Sequence, residues 1–172
     1  MKVSEENSLL NELFPDLDYD ELHFSKADYF PILVSVYDHI LTPEECDELE
    51  YMTYTDAKNV GALPDYMRGE RHFIDLYRQL AEDGVYARMG ENVDFLRADS
   101  TVFRRILLTS LREEKPLEGG FMDVYFPSLQ IRVLGSYDRT DVFLLRDKSV
   151  LPKLEEVVRN AGLFILPADH LM

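Results

Sequence analysis

The chain has 172 residues, 46% of them apolar and none of them tryptophan, which suffices for one domain with a real core and is short for two. Its net charge of −15 argues against DNA, RNA or anionic lipid as partners, because the fields repel. No apolar run approaches the ~20 residues that span a bilayer. The opening MKVSEENSLLNELF lacks the basic-then-apolar order of a secretory signal. A single cysteine, Cys46, leaves no internal disulfide and suits a reducing compartment. These features give the expectation of a soluble cytoplasmic protein, one domain over 1–172.

The charge is uneven. Residues 1–60 hold 15 acidic and 3 basic side chains, whereas residues 61–172 hold 18 and 15. Residues 1–31 form an acidic and aromatic segment of poor periodicity, either docked on the domain or peripheral to it. ILVSVYDHIL (Ile32–Leu41) alternates as a buried strand does. Thr42, Pro43 and Glu45 then have the order of an N-cap, a first helical residue and a capping box, which predicts a helix to about Lys58 with Cys46, Leu49 and Met52 inward. After the break at GALPD, Phe73, Leu76, Tyr77 and Leu80 make one apolar stripe of a helix over about Met67–Glu82 that Gly84 ends. A short irregular piece follows. Asp99 or Ser100 caps a third helix to about Glu113, with Phe103, Ile106, Leu107 and Leu111 on its core face.

The period then changes from 3.6 to 2. FMDVYF and LQIRVL alternate, with Gln130 and Arg132 expected outward, and VFLLR is apolar on both faces, as a central strand is. Ser149 opens a fourth helix that buries Val150, Leu154, Val157, Val158 and Ala161 and ends at Gly162. LFILP closes as a strand. The fold class is therefore α+β: a helical N-terminal half with one early strand, then an antiparallel sheet with one C-terminal helix packed on it.

The residues offer few places for chemistry. DLDYDE (Asp16–Glu21) has the alternating carboxylates of a calcium loop, but Glu21 and Ala27 stand where the turn glycine and the bidentate glutamate belong. His23, His39, His72 and His170 are scattered, so neither a metal nor a cofactor is expected. Cys46 lies among carboxylates that disfavour the thiolate. Gly119 and Gly120 lack the lysine of a phosphate loop. His72 and Asp75, three apart on one helix flank, are the one acid–base lead. Arg104, Arg105, Arg112, Arg132, Arg139 and Arg146 either pair with the chain's own carboxylates or form an anion pocket. GSYDRTD (Gly135–Asp141) has the composition of a hairpin turn, and Tyr137 and Arg139 within it are residue types that anchor interfaces.

An acidic surround with aromatic anchors suits a binder of a basic protein surface. The residues expected to make that contact are Asp16, Asp18, Tyr19, Asp20, Glu21, Glu44, Glu45, Asp47, Glu48, Tyr137 and Arg139. A small, strongly acidic α+β domain without a catalytic signature resembles, in composition alone, the immunity proteins and antitoxins that neutralise basic nuclease toxins. The resemblance implies a non-enzymatic inhibitor of a basic protein partner such as a toxin, and it assigns no residue. Two alternatives stand beside it. One is a small enzyme that acts on an anionic substrate through His72 and Asp75. The other is a structural or regulatory domain whose charge serves solubility.

Overall fold

Period-two sequence in the last third of the chain forms the middle of a sheet. The computed structural model describes residues 2–17, 29–112, 122–136 and 139–168. Its strands are β1 (Phe30–Ser35), β2 (Val85–Met89), β3 (Asn92–Leu96), β4 (Asp123–Phe126), β5 (Ile131–Leu134), β6 (Thr140–Leu145) and β7 (Phe164–Pro167). They form one sheet in the order β3-β2-β4-β5-β6-β1-β7, and every pair is antiparallel. The helices are α1 (Lys2–Leu13), α2 (Pro43–Glu48), α3 (Tyr54–Asn59), α4 (Leu63–Leu80), α5 (Thr101–Leu111) and α6 (Leu151–Asn160), the last entered through a 3-10 turn at Lys148–Val150. The class is α+β.

Alternation decides what each strand buries. Val124 and Phe126, Ile131 and Val133, and Phe143 and Leu145 face one side, where Phe73, Leu76, Tyr77 and Leu80 of α4, Phe103, Ile106 and Leu107 of α5, and Leu154 and Val158 of α6 close the main core. Tyr77 lies at its centre. Its ring stacks with those of Phe73, Phe126 and Phe143 at centroid distances of 5.9, 6.0 and 6.1 Å. The Ser100 hydroxyl caps α5 by accepting from the amides of Val102 and Phe103.

Three expectations change. The piece after Gly84 is regular: β2 and β3 form a hairpin whose turn uses Gly90 at φ 64°. Its outer strand is largely exposed, so the apolar alternation that would reveal it is weak. The capped helix also stops at Glu48 and does not reach Lys58. Leu49 leaves helical geometry, and Thr53 starts α3 with a capping box of its own, exchanging hydrogen bonds with Asp56. As a result α2 buries no side chain, and Cys46 is only half-buried.

The third change is Arg132, which lies on the outer sheet face but is 0% exposed. Its guanidinium donates to both oxygens of Asp123, each at 2.8 Å, and to the Pro15 carbonyl at 2.6 Å, and it lies 5.4 Å from the Phe14 ring centroid. Arg146 crosses the Tyr125 ring and donates to the Glu12 carbonyl. Two arginines thus grip the C-terminal end of α1 and the turn after it, and Leu13 and Phe14 are buried against Tyr125. Among the described residues of the N-terminal segment, the aromatics turn inward: Phe14 and Tyr29 are buried, and Phe30 packs on the main core.

Arg132→Met would remove both short hydrogen bonds to the buried Asp123 carboxylate, leaving Arg88 at 3.8 Å beside it, and release Pro15. Urea unfolding should show a loss of about 3–5 kcal/mol, and Arg132→Met combined with Asp123→Leu should recover part of it. A loss below about 1 kcal/mol for the single variant would mean that the pair does not hold this face together.

Candidate functional site

Between β1 and α3 the chain leaves the sheet and builds an acidic prominence. Thr42 caps α2, with Glu45 closing the box onto the Thr42 amide at 2.9 Å. His39 is held between Asp38 at 2.6 Å and Glu45 at 2.8 Å. Hydrogen bonds to the carboxylates of Asp38 and then Glu45 raise the imidazole's pKa; the Asp38 carboxyl is lowered chiefly by His39, and that of Glu45 by the Thr42 amide first and His39 second. Glu44, Asp47, Glu48 and Glu50 stand exposed around it. Glu44, Asp47 and Glu48 take no part in the ion pairs among the described residues.

The prominence returns to the body of the protein at a cluster of tyrosines and arginines. The rings of Tyr51 and Tyr54 lie 6.3 and 5.6 Å from that of Tyr66. The guanidinium carbon of Arg139 lies 4.9 Å from the Tyr66 centroid and 5.6 Å from that of Tyr51, within cation–π range of both. Tyr51 donates its hydroxyl to Asp65, which lowers the Asp65 carboxyl, while burial first and Asp65 second raise the Tyr51 phenol. Arg112 stacks on Tyr54 at 5.1 Å and makes a two-pronged ion pair with the buried Glu70, at 2.7 and 2.9 Å.

Two backbone features place Arg139. Its φ is +57°, a left-handed conformation unusual for a side-chain-bearing residue. Opposite it stands Gly69, in the middle of an eighteen-residue helix, where glycine costs about 1 kcal/mol relative to alanine. A Cβ at Gly69 would come within 2.2 Å of an Arg139 guanidinium nitrogen. The glycine is the floor on which the guanidinium rests.

Behind Arg139 lies a cavity of about 10 Å³, room for roughly one water. Glu70 and Asp141 are among its lining residues. Asp141 is buried on the core side of β6, where its carboxylate accepts the Tyr77 hydroxyl and, at 3.0 Å, the Ser136 amide. Burial pushes the Asp141 carboxyl up to about 6, opposed by those two hydrogen bonds. The Tyr77 phenol is raised well above its ordinary range, by burial first and by Asp141 second.

Of the residues expected from sequence to contact a partner, Glu44, Glu45, Asp47 and Glu48 share the prominence, and Arg139 meets the chain just after it through Tyr51. Asp16 is exposed beside the turn that Arg132 grips. Asp18, Tyr19, Asp20, Glu21 and Tyr137 lie outside the described residues, as do His23 and His170. His72 and Asp75 line a separate open cleft of about 500 Å³ between α4 and the end of α6, together with Arg78, Gln79 and Asn160. There the His72 ring packs against Gly162, and Asp75 is exposed. Among the described residues no three His, Cys, Asp or Glu side chains gather as a metal site. No helix there is long and apolar enough to cross a membrane.

Sequence reading passed over Tyr51, Tyr66, Glu70 and Asp141. Gly69 inside an otherwise strong helix was the available signal, because a buried mid-helix glycine marks a close approach.

Between pH 3.8, the ordinary value, and about 6 the folded chain keeps a proton on Asp141 that the unfolded chain has lost. Stability from this group is therefore full below the ordinary value and declines as pH rises through 6, by about 3 kcal/mol. Asp141→Asn should flatten that decline in urea unfolding measured from pH 4 to 8, leaving the variant at least as stable as the parent at pH 8. An unchanged slope would place the titration elsewhere. Comparison with known protein families, with curated proteins and with solved structures finds no match.

Proposed function

We propose that the chain is a non-enzymatic binding protein whose acidic prominence, residues 38–50, docks on a basic protein surface. The observation that carries the reading is α2, a six-residue helix that buries nothing and holds its carboxylates out in solvent. The neighbouring Tyr51 and Tyr54 supply half-buried aromatic surface of the kind that anchors an interface. A basic toxin, such as a nuclease, is the partner class that the acidic charge and this anatomy suit, and occlusion of its basic face would be the mechanism. Steering by opposite charge gives fast, salt-sensitive association.

Capture from lysate at low salt, repeated at high salt, should retain one basic protein in the first case and release it in the second. Against that protein, combined reversal of Glu44, Asp47 and Glu48 to lysine should slow association by about tenfold or more at low salt. An unchanged on-rate would remove the prominence as the docking surface.

The cleft at His72 favours a second reading, an enzyme acting on an anionic substrate. His72 and Asp75 would handle protons and Arg78 would hold the anion, since all three line one open space. Titration with phosphorylated and carboxylated small molecules should then move the His72 imidazole resonances, and His72→Ala should abolish any turnover. Resonances that stay fixed across such a set would dispose of this reading.

A further inference from the structure

We propose that His39 is a proton-operated tie between the segment leaving β1 and α2, and that loss of its proton frees one oxygen of Glu45 and makes the acidic prominence one charge more negative. The tie itself is independent of the docking reading. Its effect on the affinity for a basic partner rests on that reading.

The geometry asks for both ring protons. Nδ1 lies 2.6 Å from an Asp38 oxygen, and Nε2 lies 2.8 Å from a Glu45 oxygen. An ionised carboxylate only accepts, so each ring nitrogen must carry a hydrogen, and only the imidazolium has two. Asp38, on the segment leaving β1, and Glu45, on α2, are the charged groups that act on the ring, and both favour its charged form. The three side chains are 53%, 71% and 42% exposed for His39, Asp38 and Glu45, so the proton exchanges directly with solvent. An isolated pair this exposed contributes little to global stability. Here the ring is the joint of a longer chain of contacts, because the second Glu45 oxygen accepts the Thr42 amide at 2.9 Å. No side chain of α2 is buried, so polar contacts at its start orient it where packing does not.

Loss of the proton leaves one N–H for two carboxylates. The Asp38 contact is the shorter and has the larger influence on the ring, so the remaining hydrogen stays on Nδ1. Nε2 then turns a lone pair toward a carboxylate oxygen, a repulsive contact that opens. Glu45 keeps the Thr42 amide and turns its other oxygen to solvent. The two carboxylates raise the imidazole above its ordinary 6.5, so the tie is complete below 6.5 and is lost as pH rises through the higher value. A basic partner binds more tightly above that transition, and by reciprocity its binding drives the proton off.

Nitrogen-detected NMR of the intact chain from about pH 5.5 to 9 tests the tie. The His39 ring should titrate above 6.5, with Nε2 as the atom that loses its proton. The Glu45 carboxyl carbon and the Thr42 amide should move at the same midpoint. Glu45→Gln should lower that midpoint, and His39→Gln should abolish the movement at Thr42. A midpoint at or below 6.5, a proton lost from Nδ1, or Glu45 and Thr42 signals that ignore the ring would each overturn the tie. Hexa-lysine, whose charge is constant over this range, then reads the surface at low salt. The parent should bind it several-fold more tightly at about pH 8.5 than at about pH 6, and His39→Gln should lose most of that difference. An equal difference in parent and variant would overturn the effect on affinity. Binding at neither pH would overturn the docking reading, with the tie decided by the ring alone.

Discussion

A carboxylate buried at the start of β6 joins the hydrophobic core to the surface loop beside it. Asp141 alternates with Phe143 and Leu145 and so must face the core, yet it brings a charge there. Isolated, it would be strongly unfavourable. The Tyr77 hydroxyl and the Ser136 amide make it tolerable. Each acceptance has a structural result. Tyr77 is fixed along its axis, which orders the stack of Phe73, Phe126 and Phe143 around it. The Ser136 amide is held just past the end of β5, so one carboxylate bonds both a core ring and the backbone at the surface.

Three arginines of the C-terminal two thirds share a pattern. Arg112 goes to Glu70 and the Tyr54 ring, Arg132 to Asp123 and the Phe14 ring, and Arg146 to the Tyr125 ring and a carbonyl of α1. Each spreads its planar head over an aromatic face while its hydrogen bonds go to carboxylate or carbonyl oxygen, which suits a weakly hydrated, delocalised cation. This use of the positive charge is internal. The carboxylates on and around α2 are left facing water, so the imbalance in the sequence becomes an imbalance in space.

Local signals were legible in the sequence and long-range ones were not. The stripe of α4, the Ser100 cap of α5, the capping box at Thr42 and the doubly apolar β6 each need only neighbours within a few residues. The break before Thr53 was hidden because a good helix start upstream says nothing about where helix formation stops. The hairpin of β2 and β3 was hidden because an exposed edge strand need not alternate. For Arg132, alternation identified the sheet face correctly, but the burial comes from Pro15 and Phe14, far away in sequence. The tyrosine cluster was harder still. Tyr51, Tyr66 and Arg139 come from three separate stretches, and the Glu70–Arg112 pair spans 42 positions. The acidic residues of α2, all local to one capped turn, were picked out as candidates from sequence, and the cleft at His72 formed around residues chosen for their spacing alone.

The strand order has a consequence for how the chain is made. β1 pairs on one side with β6 and on the other with β7, the last strand described. A nascent chain leaving the ribosome carries Ile32, Leu33 and Val34 with neither partner yet synthesised. Such non-local pairing delays closure of the sheet, and an unpaired apolar strand invites association with its neighbours on a polysome. The surrounding sequence is the most acidic in the chain, with 15 carboxylates against 3 basic groups in its first 60 residues. Charge of one sign at that density opposes close contact between such chains, so the acidity that would serve recognition in the folded protein also works against association before there is a fold.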